Sequence, residues 1–199
     1  MLDRVSPDYL KMQNEVTNNH RTILVDWMCD VGIKFKLLTE TMFLAVYIMD
    51  KYLSLKEVPR SKFQLLGTTS ILIASKFEEI YTPEVKDFVW VSGQAYNAEE
   101  FLKMERTILS TLDFNVSTPI PLHFLRRFSK AAKSDAKLHT LSKYIIELSL
   151  LEYSLLKYKP SEIAAAAVYI TRKMTNITPT WVKKKKTKQK QKSKILFII

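Results

Sequence analysis

Lys76, Phe77, Glu78 and Glu79 close a stretch, Ser70 to Glu84, whose earlier residues Ile71, Leu72, Ile73 and Ala74 leave no polar stripe. A helix apolar on every side is enclosed by other helices, so a charged turn at its end must emerge at a defined place. Lys76 suits the negative end of the helix dipole, whereas Glu78 and Glu79 do not. The two acids therefore either have partners elsewhere or mark a frayed, solvated end. Arg21 is a second chemical signal, because it stands inside the apolar stripe Ile23, Leu24, Trp27, Val31 and Phe35. A guanidinium in a core helix needs a carboxylate, and Asp50 is the acid embedded in the next helix, which marks the two as a structural ion pair. A third cluster is Arg126, His139 and Lys143, the last two four residues apart on one helix face. By itself it reads as a scattered, solvated charged face.

Catalytic material is lacking. His20, His123 and His139 have no metal-ligand spacing, no glycine-rich phosphate loop occurs, and Cys29 lies in a core stripe, where a buried thiol is expected. The chain is thus not expected to be an enzyme, nor to need a metal or cofactor. One cysteine excludes an internal disulfide framework and fits a reducing nuclear or cytoplasmic setting. No apolar run is long enough to span a membrane, and no signal peptide is evident, so the sequons at Asn115 and Asn176 read as coincidences. The net charge of +11 is local: residues 183–194 hold eight lysines and no acid, leaving 23 basic against 20 acidic residues elsewhere. The body of the chain is therefore not a basic nucleic-acid surface, and no specific nucleic acid is expected as a partner.

The elements that must position these residues are helical. Only three glycines and seven prolines punctuate 199 residues. Apolar periodicity predicts helices over 18–36, 39–55, 60–80, 84–92, 98–113, 119–131, 136–156 and 160–174. Thr17 or Asn18 can cap the first, Asn97 with Glu100 forms a capping-box pattern, and Pro160 suits a first helical turn. Two helices are dense in small residues, Gly67 to Ser70 with Ala74 and Ser75, and Ala164 to Ala167. Each follows long amphipathic helices, so an all-α fold of two helical repeats is expected, joined by the linker Ser117 to Pro121. The expected boundaries are a leading linker over 1–17, a complete five-helix repeat over 18–116, an incomplete repeat of about three helices over 117–181, and a disordered polybasic tail over 182–199.

Taken together, His20 to Trp27, Ile48 to Leu53 and Ala74 to Tyr81 resemble the cyclin box at its characteristic spacing, and the likeness extends through Lys103 to Glu105 over roughly residues 7–181. Pro121 to Arg127 and His139 to Tyr144 resemble the B-type, mitotic subgroup. The family's signature positions correspond to Arg21, Asp50, Leu65, Lys76 and Glu105, all present. The resemblance implies a non-catalytic subunit that binds and activates a cyclin-dependent kinase at the G2/M transition and helps select its substrates. It places Lys76, Phe77 and Glu105 at the kinase interface, with an ordinary buried salt bridge as the alternative. It also implies a docking patch for Arg-x-Leu segments of substrates, made by Ile23, Leu24, Trp27, Asp30, Arg60 and Gln64; plain core is the alternative for Ile23 and Trp27. His20 departs from the methionine common there. Arg126, His139 and Lys143 correspond to a cluster that binds phosphorylated partners. A competing reading within the same fold is a transcription initiation factor binding promoter DNA, which would need basic residues spread along both repeats.

Past Thr180 and Trp181 the likeness ends in Val182 followed by lysines, as reading through an intron would give. Residues 182–199 are expected not to belong to the natural fold, with a polybasic nuclear-import or anionic-surface tail as the rival. The second repeat is then expected to leave apolar surface open between Ala164 and Ile170. Nuclear and cytoplasmic localisation is expected.

Overall fold

The computed structural model describes residues 5–177, in which eight α-helices and three 3-10 turns follow one another. The helices are α1 (Asn18–Phe35), α2 (Thr39–Leu53), α3 (Phe63–Glu78), α4 (Val85–Val91), α5 (Ala98–Thr111), α6 (Pro121–Ala131), α7 (Ala136–Leu148) and α8 (Pro160–Met174). Their ends carry the expected punctuation. The Glu100 N–H donates to Asn97 Oδ1 and the Asn97 N–H to Glu100 Oε2, both at 3.0 Å, completing the capping box of α5. Thr17 and His20 make the same reciprocal arrangement at α1, with the His20 ring nitrogen accepting the Thr17 N–H. Pro121 and Pro160 each occupy the first turn of a helix.

The chain forms two units, residues 1–118 together with 150–157, and 119–149 with 158–199, of which the described parts are considered separately. In the first unit α3 is the hub. Every residue from Leu65 to Ser75 is buried, and α2, α1, α4 and α5 pack around it. Small residues are what allow this approach: a Cβ on Gly67 would lie 3.0–3.1 Å from the Leu24 side chain of α1, tighter than ordinary van der Waals contact. The buried hydroxyls of Thr68, Thr69 and Ser70 donate to the carbonyls four residues earlier, so a helix with no solvated face keeps its polar groups paired. The Ser75 Oγ is the exception among the described residues, buried with no partner.

In the second unit α6, α7 and α8 pack on one another. Ala164 to Val168 are buried, contrary to the expectation of an open face there; the large apolar side chains exposed in this unit are Tyr144, Leu148 and Met174. Ser142 on α7 donates to Thr171 on α8 at 2.9 Å.

Two further expectations are corrected. Cys29 is half-buried, not enclosed. The helix expected over 136–156 stops at Leu148, and Leu150 to Lys157 joins the first unit, ending in a 3-10 turn over Tyr153–Lys157. Its carbonyls are needed there, as the site geometry explains. The tail expected over 182–199 lies outside the described residues.

Candidate functional site: two ion pairs and an apolar edge

Arg21 and Asp50 form a bidentate pair, Nε to Oδ1 at 2.8 Å and Nη2 to Oδ2 at 2.7 Å, with both side chains only 1% exposed. Burying two charges is stabilising only if their remaining hydrogen-bonding capacity is also used. Here it is. Asp50 Oδ1 accepts from the Tyr9 hydroxyl at 2.7 Å, and Arg21 Nη1 donates to the Leu150 carbonyl at 2.9 Å. Thr22 donates to the Leu151 carbonyl, and the Tyr153 hydroxyl accepts the Leu10 N–H at 3.1 Å. A continued α7 would have spent the carbonyls of Leu150 and Leu151 within the helix, which is why the chain leaves helical geometry before them. Burial, aided by the Asp50 charge, raises the Tyr9 phenol far above its ordinary range. For Arg21 burial, the largest single effect, acts downward, but the charge and hydrogen bonds of Asp50, together with Tyr9, outweigh it and the guanidinium is held more firmly protonated than usual. This network ties the leading segment, α1, α2 and residues 150–157 together. Tyr9 and Tyr153 are members of it that the sequence pattern did not single out; an aromatic hydroxyl in a short segment ahead of the first helix was the available signal.

Lys76 and Glu105 form the other pair. Lys76 Nζ lies 2.7 Å from Glu105 Oε1, joining the last turn of α3 to α5, but Lys76 is 47% exposed and Glu105 13%. An ammonium has three donors. Lys76 uses one on Glu105 and, among the described residues, has no second partner. Two of its donors are left over, and the residues that follow in sequence are apolar and open: Phe77 is 54% exposed, and Ile80 and Tyr81, just past the end of α3, almost wholly so. Phe114 is exposed where the chain leaves α5. Ile80, Tyr81 and Phe114 were not singled out from sequence, although two large apolar residues between a helix end and a proline were a usable sign.

Glu79 resolves the dipole puzzle. Its carboxylate accepts the Leu38 N–H at 2.7 Å and the Thr41 hydroxyl, so it sits at the positive N-terminus of α2 while ending α3. That double role fixes the backbone from which Lys76 and Phe77 project.

The docking-patch residues divide. Ile23 is 59% exposed, Trp27 half-buried and Asp30 exposed one turn further along α1. Leu24, at 7%, is seated on Gly67, so its side chain serves the contact of α1 with α3 instead of an open groove. Gln64, half-buried, lies one turn before Gly67, and Arg60 is exposed, its N–H held by Glu15 at 2.8 Å. In the second unit His139 Nδ1 lies 2.9 Å from Ser129 Oγ, joining α7 to α6. Arg126 lies one turn before Ser129 on α6, and Lys143 one turn after His139 on α7. Lys143 also meets Glu147 at 3.6 Å. Among the described residues no group of His, Cys, Asp or Glu is placed to hold a metal ion, and no helix is long and apolar enough to cross a membrane.

Comparison with known proteins bears on these arrangements. Residues 2–117 match the family model described as cyclin, N-terminal domain, and residues 119–193 that described as cyclin, C-terminal domain. The second match runs past Trp181, where the sequence reading ended the likeness. The chain is 53% identical over 174 residues to the G2/mitotic-specific cyclin-B of Dictyostelium discoideum, covering 87% of this chain and 40% of that protein. It is 48% identical over 170 residues to G2/mitotic-specific cyclin-B2 of Gallus gallus, covering 85% and 42%. It therefore spans less than half the length of these two relatives. Among solved structures, a viral cyclin from herpesvirus saimiri superposes with a TM-score of 0.77 at 26% identity, over 84% of this chain and 75% of that one. A chain of the yeast RNA Pol II CTD kinase CTDK-1 complex gives 0.74 at 16% identity, over 92% of this chain and 66% of that one, a likeness of fold.

Proposed function

The chain belongs to the cyclin family, and on that footing we propose that it is a regulatory subunit that binds and activates a cyclin-dependent kinase at the G2/M transition. The observation that carries this reading is the half-exposed Lys76 and Glu105 pair, with unused ammonium protons beside the exposed Phe77. A kinase is active only when its strand lysine and the glutamate of its regulatory helix are paired, which requires that helix to be held inward. A rigid helical surface that binds the inward position alone shifts the equilibrium by its differential affinity. Phe77 offers an apolar anchor under such a helix, while Lys76 can donate to kinase carbonyls and Glu105 accept from a kinase amide. The cyclin contributes shape and fixed charge and no reacting group.

Substrate choice is assigned to α1. Ile23 and Trp27 supply the apolar contact for an Arg-x-Leu segment, Asp30 receives its arginine, and Arg60 with Gln64 borders the patch; Leu24 supports it from the core. Arg126, His139 and Lys143 are assigned to phosphorylated partners. The promoter-binding alternative draws no support from the relatives, which carry mitotic cyclin names. A nuclear and cytoplasmic location accords with this role. The test is reconstitution of the full chain with a cyclin-dependent kinase and measurement of phosphate transfer to a short peptide. Activity above that of the kinase alone is expected, together with its loss in Lys76→Ala; no stimulation by the unaltered chain would refute the proposal.

A further inference from the structure

Proline follows a hydroxyl-bearing residue at Ser6, Thr82, Thr118 and Thr178, the last outside the described residues. Proline has no N–H and holds the residue before it extended, so each of these dipeptides fits an enzyme that grips an extended chain and asks no donor of the residue after the hydroxyl. What separates them is the chain on either side.

Thr82 lies in the connection from α3 to α4. Residues 79–84 are outside any helix, and both ends of the run are extended, Glu79 at φ −92° and ψ 144°, Glu84 at φ −80° and ψ 159°. Ile80 is 91% and Tyr81 92% exposed, Thr82 and Glu84 are exposed, and Pro83 is half-buried. Among the described residues the Thr82 hydroxyl has no hydrogen-bond partner. An enzyme can thus take hold of residues 80–84 without uncovering apolar core. The other hydroxyls lack this freedom. Ser6 is exposed, but the chain turns at once through Pro7 and Asp8, with ψ 18° at Asp8, into the 3-10 turn Tyr9–Met12, whose Tyr9 is buried against Asp50. Thr118 is half-buried between Val116 and Ile120, both buried, so drawing that segment out would expose core. Ser129 follows Arg126, Arg127 and Phe128, a basic run of the kind other kinases select, yet it is buried within α6 and joined to His139. Thr107 and Thr111 on α5 donate to carbonyls four residues earlier.

We propose that Thr82 is a phosphorylation site for a proline-directed protein kinase, with ATP as the phosphate donor. Thr82 Oγ1 attacks the γ-phosphorus of ATP, the bond from that phosphorus to the β,γ-bridging oxygen breaks, ADP leaves, and the hydroxyl proton passes to the catalytic aspartate of the modifying kinase. Residues 76–87 already hold Glu78, Glu79, Glu84 and Asp87 against Lys76 and Lys86, each lysine bridged to a glutamate. A phosphate carrying a charge of about −1.5 to −2 finds no arginine within this segment, so its addition makes the surface that follows Phe77 strongly acidic. The proposal does not depend on activation of a kinase by the chain.

The test incubates the full chain with Mg-ATP and an active mitogen-activated protein kinase, a proline-directed enzyme that needs no cyclin, and follows phosphate at each site over time by mass spectrometry. Thr82 is expected to be labelled ahead of Ser6 and Thr118. Pro83→Ala should lose labelling at Thr82 although the hydroxyl remains, and Thr82→Ser should keep labelling at that position. Both positions lie outside the helices, so the helical circular dichroism of each variant should match that of the unaltered chain. Absence of phosphate at Thr82, labelling of Ser6 or Thr118 before it, or equal labelling of Thr82 in Pro83→Ala would overturn the proposal.

Discussion

Two ion pairs of the first unit share a closest N to O distance of 2.7 Å and differ in nearly everything else. Arg21 and Asp50 are dry and enclosed, and each finds a further partner in Leu150 or Tyr9. Lys76 and Glu105 stand at the edge of the fold, with an ammonium half in water and one of its donors used. The short distance is therefore no guide to role. Hydrogen-bonding capacity consumed inside the protein marks a pair that holds segments together, and capacity left over beside an exposed apolar side chain is what the proposed kinase contact uses.

Removing one partner from the enclosed pair should have the largest effect on stability. Arg21→Ala leaves the Asp50 carboxylate buried with Tyr9 alone, and breaking a buried pair in this way costs about 3–5 kcal/mol. Urea titration should reveal a loss of that order, or failure to fold; a midpoint close to that of the unaltered chain would show that the network is dispensable. Gly67→Ala sharpens the contrast because it touches neither pair yet forces Leu24 of α1 away from α3. Overpacking of this kind costs roughly 1–3 kcal/mol, measured by the same titration, and an unchanged midpoint would mean that α1 is not held closely.

Smaller still is the effect of Tyr9. Its phenol is raised above the ordinary value of about 10 by burial and by Asp50, so the folded chain keeps it neutral. Its contribution is complete below about pH 10 and is lost above it, because the unfolded chain releases that proton and the folded chain does not. Stability of the unaltered chain should fall as the pH rises beyond 10, and Tyr9→Phe should make that alkaline slope shallower. Tyr52, Tyr96 and Tyr153, also raised by burial, retain their share. Equal slopes between pH 9 and 11 would remove Tyr9 from the network.

Much of this contrast was legible in the sequence. Arg21 within an apolar stripe demanded an acid, and Asp50 was the embedded candidate. The crowding of small residues at Gly67 to Ser70 marked the hub helix, and Asn97 with Glu100 marked the start of α5. What could not be read was anything decided by a distant segment. Ser149 to Leu156 has good local helix-forming character, yet the chain departs from helix because Arg21 and Thr22, more than 120 residues earlier, take the carbonyls of Leu150 and Leu151. Glu79 looked misplaced beside a negative helix end because its true neighbour, the start of α2, is remote in sequence. Leu24 and Trp27 lie three residues apart on one stripe, and only the position of α3 separates the enclosed one from the half-open one.

The most direct test of the distinction is kinase affinity and urea midpoint measured together on Lys76→Ala. An exposed pair contributes about 0–1 kcal/mol to folding, whereas loss of one partner in a charged interface contact costs about 2–5 kcal/mol of binding. A urea midpoint scarcely moved and a kinase Kd weakened by about thirtyfold or more are expected. An unchanged Kd, or a weakening that appears only alongside a large loss of stability, would contradict the distinction.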